Sequence, residues 1–327
     1  PKKTEQVPFL CIRLAQHLCL SAKIGGGSPK KTEQVPFLCI RLALSLHPKV
    51  KAENGTAGDA HRIIYIDNTM TTKQEIVENW LVRYTGQPLQ DFGKLILLTN
   101  FNKYVDIFCE LKNVQPASME SGMRCATAEG VTMINFGIGS PNAALIMDLL
   151  SAVSPAACLF LGKCGGISDK TRLGDYILPL AGIRGEGTSS DYFPAEVPAL
   201  PAFMLQRAVS TALRDASQDY WTGTVYTTNR RVWEHDERFK TYLRSTRAMA
   251  VDMETATLFT CGFYNHIPTG ALLLVSDNPM YAEGVKTEAS DRVVTQNFAE
   301  QHVRIGIEAM RLIGDGRKTV RHLKYDW

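Results

Sequence analysis

The residues best suited to chemistry in this chain are carboxylates placed at the ends of apolar runs. Leu272-Leu273-Leu274-Val275 leads into Ser276-Asp277-Asn278-Pro279. Such a run reads as a buried strand, and the proline stops regular structure after it. A carboxylate at that point is poorly solvated, so its pKa rises unless it finds a partner. Asp277 is therefore suited to act as a general acid near neutral pH; a turn-forming Asp explains the same residue equally well. Asp252 and Glu254 flank Met253 just ahead of an apolar helical stretch. They fit a site that needs negative charge, and they fit a helix cap and its dipole.

Two glycine-rich segments follow apolar runs. In Phe136-Gly137-Ile138-Gly139-Ser140-Pro141-Asn142 a strand meets glycines and then a helix, with Pro141 suited to the first helical turn. Such turns aim backbone N–H groups at an anion, which makes Gly139, Ser140 and Asn142 candidates for a phosphate or nucleophile site. The third glycine of a dinucleotide fingerprint and the Gly-Lys-Ser/Thr of a P-loop are both missing. A plain tight turn accounts for the segment as well. Gly162-Lys163-Cys164-Gly165-Gly166 reads either as a backbone wall that lets a flat ligand approach or as an ordinary turn at a strand end. Cys164 reads as a small buried residue.

The elements that must position these residues alternate. Thr71 or Thr72 caps an amphipathic helix running to about Tyr84, with Ile76, Trp80 and Leu81 on one face. Strands are expected at 95–99, 130–136, 157–161, 176–183, 222–227 and 270–276. Helices are expected at 103–111, 143–153, 202–213, 253–264 and 293–313. The alternation implies an α/β fold with a largely parallel sheet covered on both faces, and ligands bind such sheets beyond the carboxyl ends of their strands.

Composition leaves the class open but excludes several others. The chain has 327 residues, is 45% hydrophobic and 21% charged, and carries a net charge of +3. That supports a packed core and argues against disorder, a nucleic-acid surface or a membrane partner. No apolar run reaches the roughly 18 residues of a membrane-spanning helix. The eight cysteines form no C-x-x-C pair and no metal-ligand spacing with histidine, so a reduced, cytoplasmic protein without a metal is expected. Residues 1–15 are repeated without change at 29–43. Natural repeats drift, so residues 1–69 are set apart as an N-terminal extension, an artefact or a fusion, and Met70 is taken as a native start. The catalytic domain is expected at 70–327.

Taken in order, FGIGSPNAA, GKCGG, VDMETAT and VSDNP resemble the nucleoside phosphorylase and nucleosidase superfamily, over nearly all of residues 94–313. The resemblance implies a three-layer sandwich around a distorted mixed, largely parallel sheet. It implies that Met253 packs on the nucleoside, that Glu254 grips the ribose hydroxyls, and that Asp277 supplies the acid near purine N7. Cys164, Gly165 and Gly166 would line the base pocket. The stretch 223–257, together with TNFNKYVDIF at 99–108, is similar to the AMP-hydrolysing branch more than to any phosphorylase. Phosphorylases begin with Gly-Asp-Pro followed by a phosphate-binding arginine; here that corner is Thr99-Asn100-Phe101, with Lys103 further on. This favours water as the nucleophile. The long N-terminal regulatory domain of the larger members is absent, so a short form is expected. One motif points elsewhere. Ile183-Arg184-Gly185-Glu186-Gly187-Thr188-Ser189 resembles a base-pocket loop of uridine and some purine nucleoside phosphorylases, in which the arginine reads a base carbonyl.

The expected reaction is therefore release of adenine from AMP, leaving ribose 5-phosphate, with no cofactor. Asp277 helps the purine leave and Glu254 favours the cationic sugar. Trp233 either stacks on the base or packs in the core. Arg230, Arg231 and Lys286 are candidates for the 5′-phosphate. The family resemblance implies a homo-oligomer, a hexamer built from dimers. The rivals are a phosphate-using nucleoside phosphorylase and a nucleotide-binding or storage protein without catalysis, because one fold hosts many activities.

Overall fold

The computed structural model describes residues 72–315. The duplicated N-terminal stretch, its assignment as a fusion or artefact, and the start at Met70 lie outside the described residues. Fifteen main elements follow in order: α1 (Lys73–Thr85), β1 (Leu95–Thr99), α2 (Asn102–Lys112), β2 (Cys125–Ala128), β3 (Val131–Asn135), α3 (Ser140–Leu150), β4 (Ala157–Gly166), β5 (Tyr176–Gly185), α4 (Phe203–Asp215), β6 (Tyr220–Thr228), α5 (Glu237–Ser245), β7 (Ala250–Asp252), α6 (Thr255–Tyr264), β8 (Thr269–Asp277) and α7 (Glu288–Gly314).

The eight strands form one mixed sheet in the order β2-β3-β1-β4-β7-β6-β5-β8, with β4 also paired to β8. That extra pairing closes β4, β7, β6, β5 and β8 into a ring. Five of the eight pairings are parallel, and β2–β3, β4–β7 and β5–β8 are antiparallel. Helices α1, α3 and α6 bury Leu81, Ile146 and Phe259 against one face. Helices α2, α4 and α7 bury Phe108, Leu205 and Val303 against the other. This is the sandwich with a distorted, largely parallel sheet that the sequence led us to expect.

The differences are local. Thr72 caps α1 through a reciprocal pair with Glu75. The buried stripe, however, is Val77, Leu81 and Thr85, while Trp80 is exposed and packs edge-on against Tyr84. Spacing of four along the helix selects that stripe, one residue round from the expected one. The segment Gly162–Gly166 is not a turn: β4 continues through it as a ten-residue strand, buried throughout. Helix α3 starts at Ser140 and α6 at Thr255 rather than at Ala143 and Met253. Strands β2 and β7, at four and three residues, are too short to show a period. Helix α5 was missed because its sequence is polar nearly all round; only Lys240 and Leu243 are buried, and the Asp236 side chain caps it.

One buried polar contact ties the second layer together. His302 of α7 has no exposed surface. It lies 3.0 Å from the Leu272 carbonyl of β8 through Nε2 and 3.0 Å from the Tyr104 hydroxyl of α2 through Nδ1. A carbonyl only accepts, so Nε2 carries the proton and Nδ1 accepts from Tyr104. Burial drives the His302 pKa down to about 3, so the ring is neutral. Tyr104→Phe leaves Nδ1 buried without a donor and is expected to cost about 1–3 kcal/mol, read as a lower denaturation midpoint with an unchanged m-value. An unchanged midpoint would remove this contact from the account of stability.

Candidate active site

The sheet brings strand ends from both directions to one cavity of about 190 Å³. Asn100 and Phe101 follow β1, and Ile138 follows β3. Lys163, Cys164 and Gly165 come from β4, and Ser276 and Asp277 from β8. Thr228, Arg230, Arg231, Trp233 and Glu234 come from the end of β6 and its loop; Val251 to Glu254 come from β7 and the turn into α6. Pro279 and Lys286 complete the wall. A wider depression around Ser210, Arg214 and Tyr220 contains none of the residues singled out above.

Asp277 owes its position to an irregular register. Cys164 pairs with Val275, but Gly165 pairs with Asp277, so Ser276 is the extra residue of a bulge. Bulges re-aim side chains, and this one brings Asp277 to the glycine-lined part of β4. A Cβ on Gly165 would stand 2.8 Å from Pro279 and 3.3 Å from the Asp277 carboxylate. Only glycine leaves room there for the acid. Ser276 Oγ donates to Asp277 at 2.7 Å and accepts from Lys286 at 3.1 Å. Burial pushes the Asp277 pKa up; the Ser276 hydrogen bond and the charges of Lys286 and Arg231 offset part of that rise.

Glu254 is 2% exposed. Its carboxylate accepts from Gly139 N–H at 2.7 Å and from Met253 N–H at 3.3 Å. Gly139 caps α3 with φ +94°, a conformation costly for a side-chain-bearing residue. The glycine turn therefore does hold a carboxyl group with its backbone N–H, but that group is the protein's own Glu254. Ser140 Oγ donates to the Met253 carbonyl at 2.7 Å, and Asn142 Nδ2 donates to the Ile138 carbonyl at 3.0 Å. Gly139, Ser140 and Asn142 thus stand behind the cavity wall and hold its turns. Asp252 is structural: it accepts from Thr227 Oγ1 at 2.7 Å and from Thr255 N–H at 2.8 Å. Burial raises the pKa of both Glu254 and Asp252, and the charge of Asp252 adds to the rise at Glu254.

The other sequence-marked residues divide clearly. Met253, Trp233, Arg231, Lys286, Cys164 and Gly165 line the cavity. Burial raises the Cys164 thiol well above its ordinary value, which fits a packing role. Gly166 sits behind the wall, where a Cβ would meet Thr171 Oγ1 at 2.4 Å. Lys103 is not in the wall; it is half-exposed on α2 and pairs with Glu110. Arg184 is also absent from the wall. Its guanidinium donates to Ser189 Oγ and to the carbonyls of Phe193, Pro194 and Val197, pinning its own loop. Sequence reasoning missed Lys163, which is 7% exposed. Its ammonium donates to Asp291 and Thr295 and lies 4.6 Å over the Phe101 ring. Burial pulls its pKa down against the pull of Asp291. The sequence signal was present: a lysine inside a strand buried on both faces needs a partner.

A buried acid at the end of one strand, a second carboxyl group held by a helix start, and Trp233 in the same wall define the class: an α/β protein with a carboxyl-lined cavity at its strand ends. Among the described residues no group of three or more His, Cys, Asp or Glu is placed to hold a metal ion. The chain belongs to the phosphorylase superfamily, whose family model matches residues 94–311. It is 58% identical to the crystal structure of AMP nucleosidase from Bacteroides thetaiotaomicron VPI-5482, with a TM-score of 0.67, over 76% of this chain and 100% of that one. It is 30% identical over 279 residues to AMP nucleosidase of Escherichia coli strain K12, across 71% of this chain. It spans only 57% of that protein's length. Uridine phosphorylase from Vibrio fischeri ES114 shares the fold at 22% identity and a TM-score of 0.61, over 68% of this chain and 93% of that one.

Proposed function

We propose that this chain hydrolyses the N-glycosidic bond of AMP to adenine and ribose 5-phosphate. The similarity to AMP nucleosidases supports the substrate. The observation that carries the choice of water over phosphate is the corner formed by Asn100 and Phe101. It holds no arginine, and its cation, Lys163, is already engaged by Asp291 and Thr295. By the resemblance, a phosphorylase would bring an arginine to that corner to grip phosphate.

The C1′–N9 bond breaks with its electron pair going to the purine, and the sugar becomes oxocarbenium-like. Asp277 hydrogen-bonds N7 and passes its proton to it as the bond breaks, so the base leaves as a neutral purine. Glu254 holds the ribose hydroxyls and favours positive charge on the sugar. Water adds to C1′, and the proton it loses returns through solvent to Asp277, which had given its own to the base. Trp233 and Met253 pack on the nucleoside, and Cys164 and Gly165 form the floor beneath the base. Arg230, Arg231 and Lys286, which pair with Asp236, Glu234 and Asp291, are the candidate cations for the 5′-phosphate. The same reading makes the protein a cytoplasmic homo-oligomer, with the hexamer as the expected assembly. The five described cysteines, all buried and free, are compatible with a reducing compartment, and no helix among the described residues is long and apolar enough to cross a membrane.

The test is product analysis with AMP, adenosine, inosine and uridine, each with and without phosphate. Adenine and ribose 5-phosphate are expected from AMP in the absence of phosphate. Turnover of nucleosides alone, and only with phosphate, would make the chain a phosphorylase. No base release from any substrate would favour a binding protein.

A further inference from the structure

Four carboxylates line the cavity: Asp252, Glu254, Asp277 and Glu234. Three have been accounted for. Asp252 is saturated by Thr227 and Thr255, Glu254 faces the α3 start, and Asp277 sits in the β4–β8 bulge. Glu234 is the fourth. Its side chain is 16% exposed; one oxygen pairs with Arg231 at 3.2 Å and the other accepts from Trp233 N–H at 2.9 Å. Each oxygen keeps a lone pair for another donor. The residue directly follows Trp233, which lines the same cavity while its ring packs edge-on against Phe239, and the charge of Glu234 is felt at Asp277.

Purine geometry gives that location a meaning. The substituent at C6 lies beside N7, on the same edge of the ring. With Asp277 addressing N7, a carboxylate on the C6 side of that atom would meet the 6-substituent, and Glu234 is the remaining carboxylate of this wall. A carboxylate there accepts the N–H of a 6-amino group and repels the lone pairs of a 6-oxo group. The arginine whose motif suggested a carbonyl reader is spent on its own loop, as described above.

We propose that Glu234 selects 6-aminopurine over 6-oxopurine nucleotides, by accepting a hydrogen bond from the exocyclic amine. This rests on the reading of the cavity as a purine-nucleotide site. Arg231 then has a second task besides the phosphate candidacy: it holds the Glu234 carboxylate in place.

The experiment compares kcat/KM for AMP and IMP, and calorimetric Kd for adenine and hypoxanthine, in the full chain and in Glu234→Gln and Glu234→Asp. The unaltered protein is expected to prefer AMP by about 100-fold or more, because an unmatched polar contact in a pocket discriminates strongly. Glu234→Gln, whose amide can turn to offer either an acceptor or a donor, should narrow the AMP-to-IMP ratio by about tenfold or more, in base binding as well as in turnover. Glu234→Asp, still an acceptor only, should keep the preference for AMP at reduced activity. An unchanged ratio in Glu234→Gln overturns the assignment and leaves Glu234 as a loop support. Equal cleavage of AMP and IMP by the unaltered protein also overturns it while sparing nucleotide hydrolysis. No cleavage of either nucleotide, without selective adenine binding, overturns the parent reading and this one together. If Glu234→Gln does not fold, the ratio in Glu234→Asp decides: loss of the AMP preference there sinks the proposal.

Discussion

Asp277→Asn is expected to lower kcat for AMP by about 10²–10⁴-fold, with KM little altered. Asparagine keeps the shape and can still donate a hydrogen bond toward N7, but it has no proton to give up to the base. The loss therefore belongs to the transition state rather than to ground-state binding. The pH profile supplies a second readout. Burial raises the Asp277 pKa above the ordinary carboxylate value, and its polar neighbours only partly oppose that rise. The protonated form is the acid, so kcat should fall as pH rises through the raised pKa, and this limb should vanish in Asp277→Asn. A variant that retains both full activity and the limb would remove Asp277 from the role of acid.

Glu254→Gln should lower kcat/KM for AMP by about 10²–10³-fold, the scale on which one preorganised electrostatic contact acts. Burial and the charge of Asp252 push the Glu254 pKa up to about 8, so its charge develops as pH rises through that value; glutamine removes the titrating group, and its amide can accept from Gly139 N–H only by turning its NH₂ elsewhere. The useful control is 2′-deoxy-AMP. If Glu254 grips the ribose hydroxyls, the unaltered protein discriminates against the deoxy substrate and Glu254→Gln does so far less. Such a pair of changes is coupled rather than additive. Equal discrimination in both proteins would leave Glu254 as a clamp on the α3 start and nothing more.

Much of this was legible in the sequence because buried strands announce themselves. Leu95–Thr99 and Thr269–Asp277 are nearly unbroken apolar runs, and the structure bounds them where the runs end. The acid at Asp277 could be suspected from that ending alone. Other features depend on neighbours that no local pattern displays. The glycines at 162, 165 and 166 look like a turn, yet they lie in a strand: Phe160 crowds Gly162, Pro279 crowds Gly165 and Thr171 crowds Gly166. Lys163 seemed part of that turn and is instead a buried cation whose partners come from α7, over 120 residues away in the chain. Arg184 carried a motif, but hydrogen bonds to its own loop decide its position. Glu234 is a lone carboxylate in a loop without a period. Only the fold of the loop after β6 brings it into one cavity wall with Asp277.

The ring closed by β4 and β8 has a further effect on the chain outside catalysis. A strand at the margin of a sheet leaves a row of unpaired N–H and C=O groups that can template pairing with another molecule. Here β8, β5, β6 and β7 have neighbours on both sides, and β1 and β3 lie inside the open part of the sheet. Among the described residues β2, four residues long and paired antiparallel to β3, is the one strand with a single neighbouring strand. The closure that gathers the carboxylates thus also gives the strand that would otherwise end the sheet, β8, a second partner in β4, which removes one of the two places where pairing with another molecule would start.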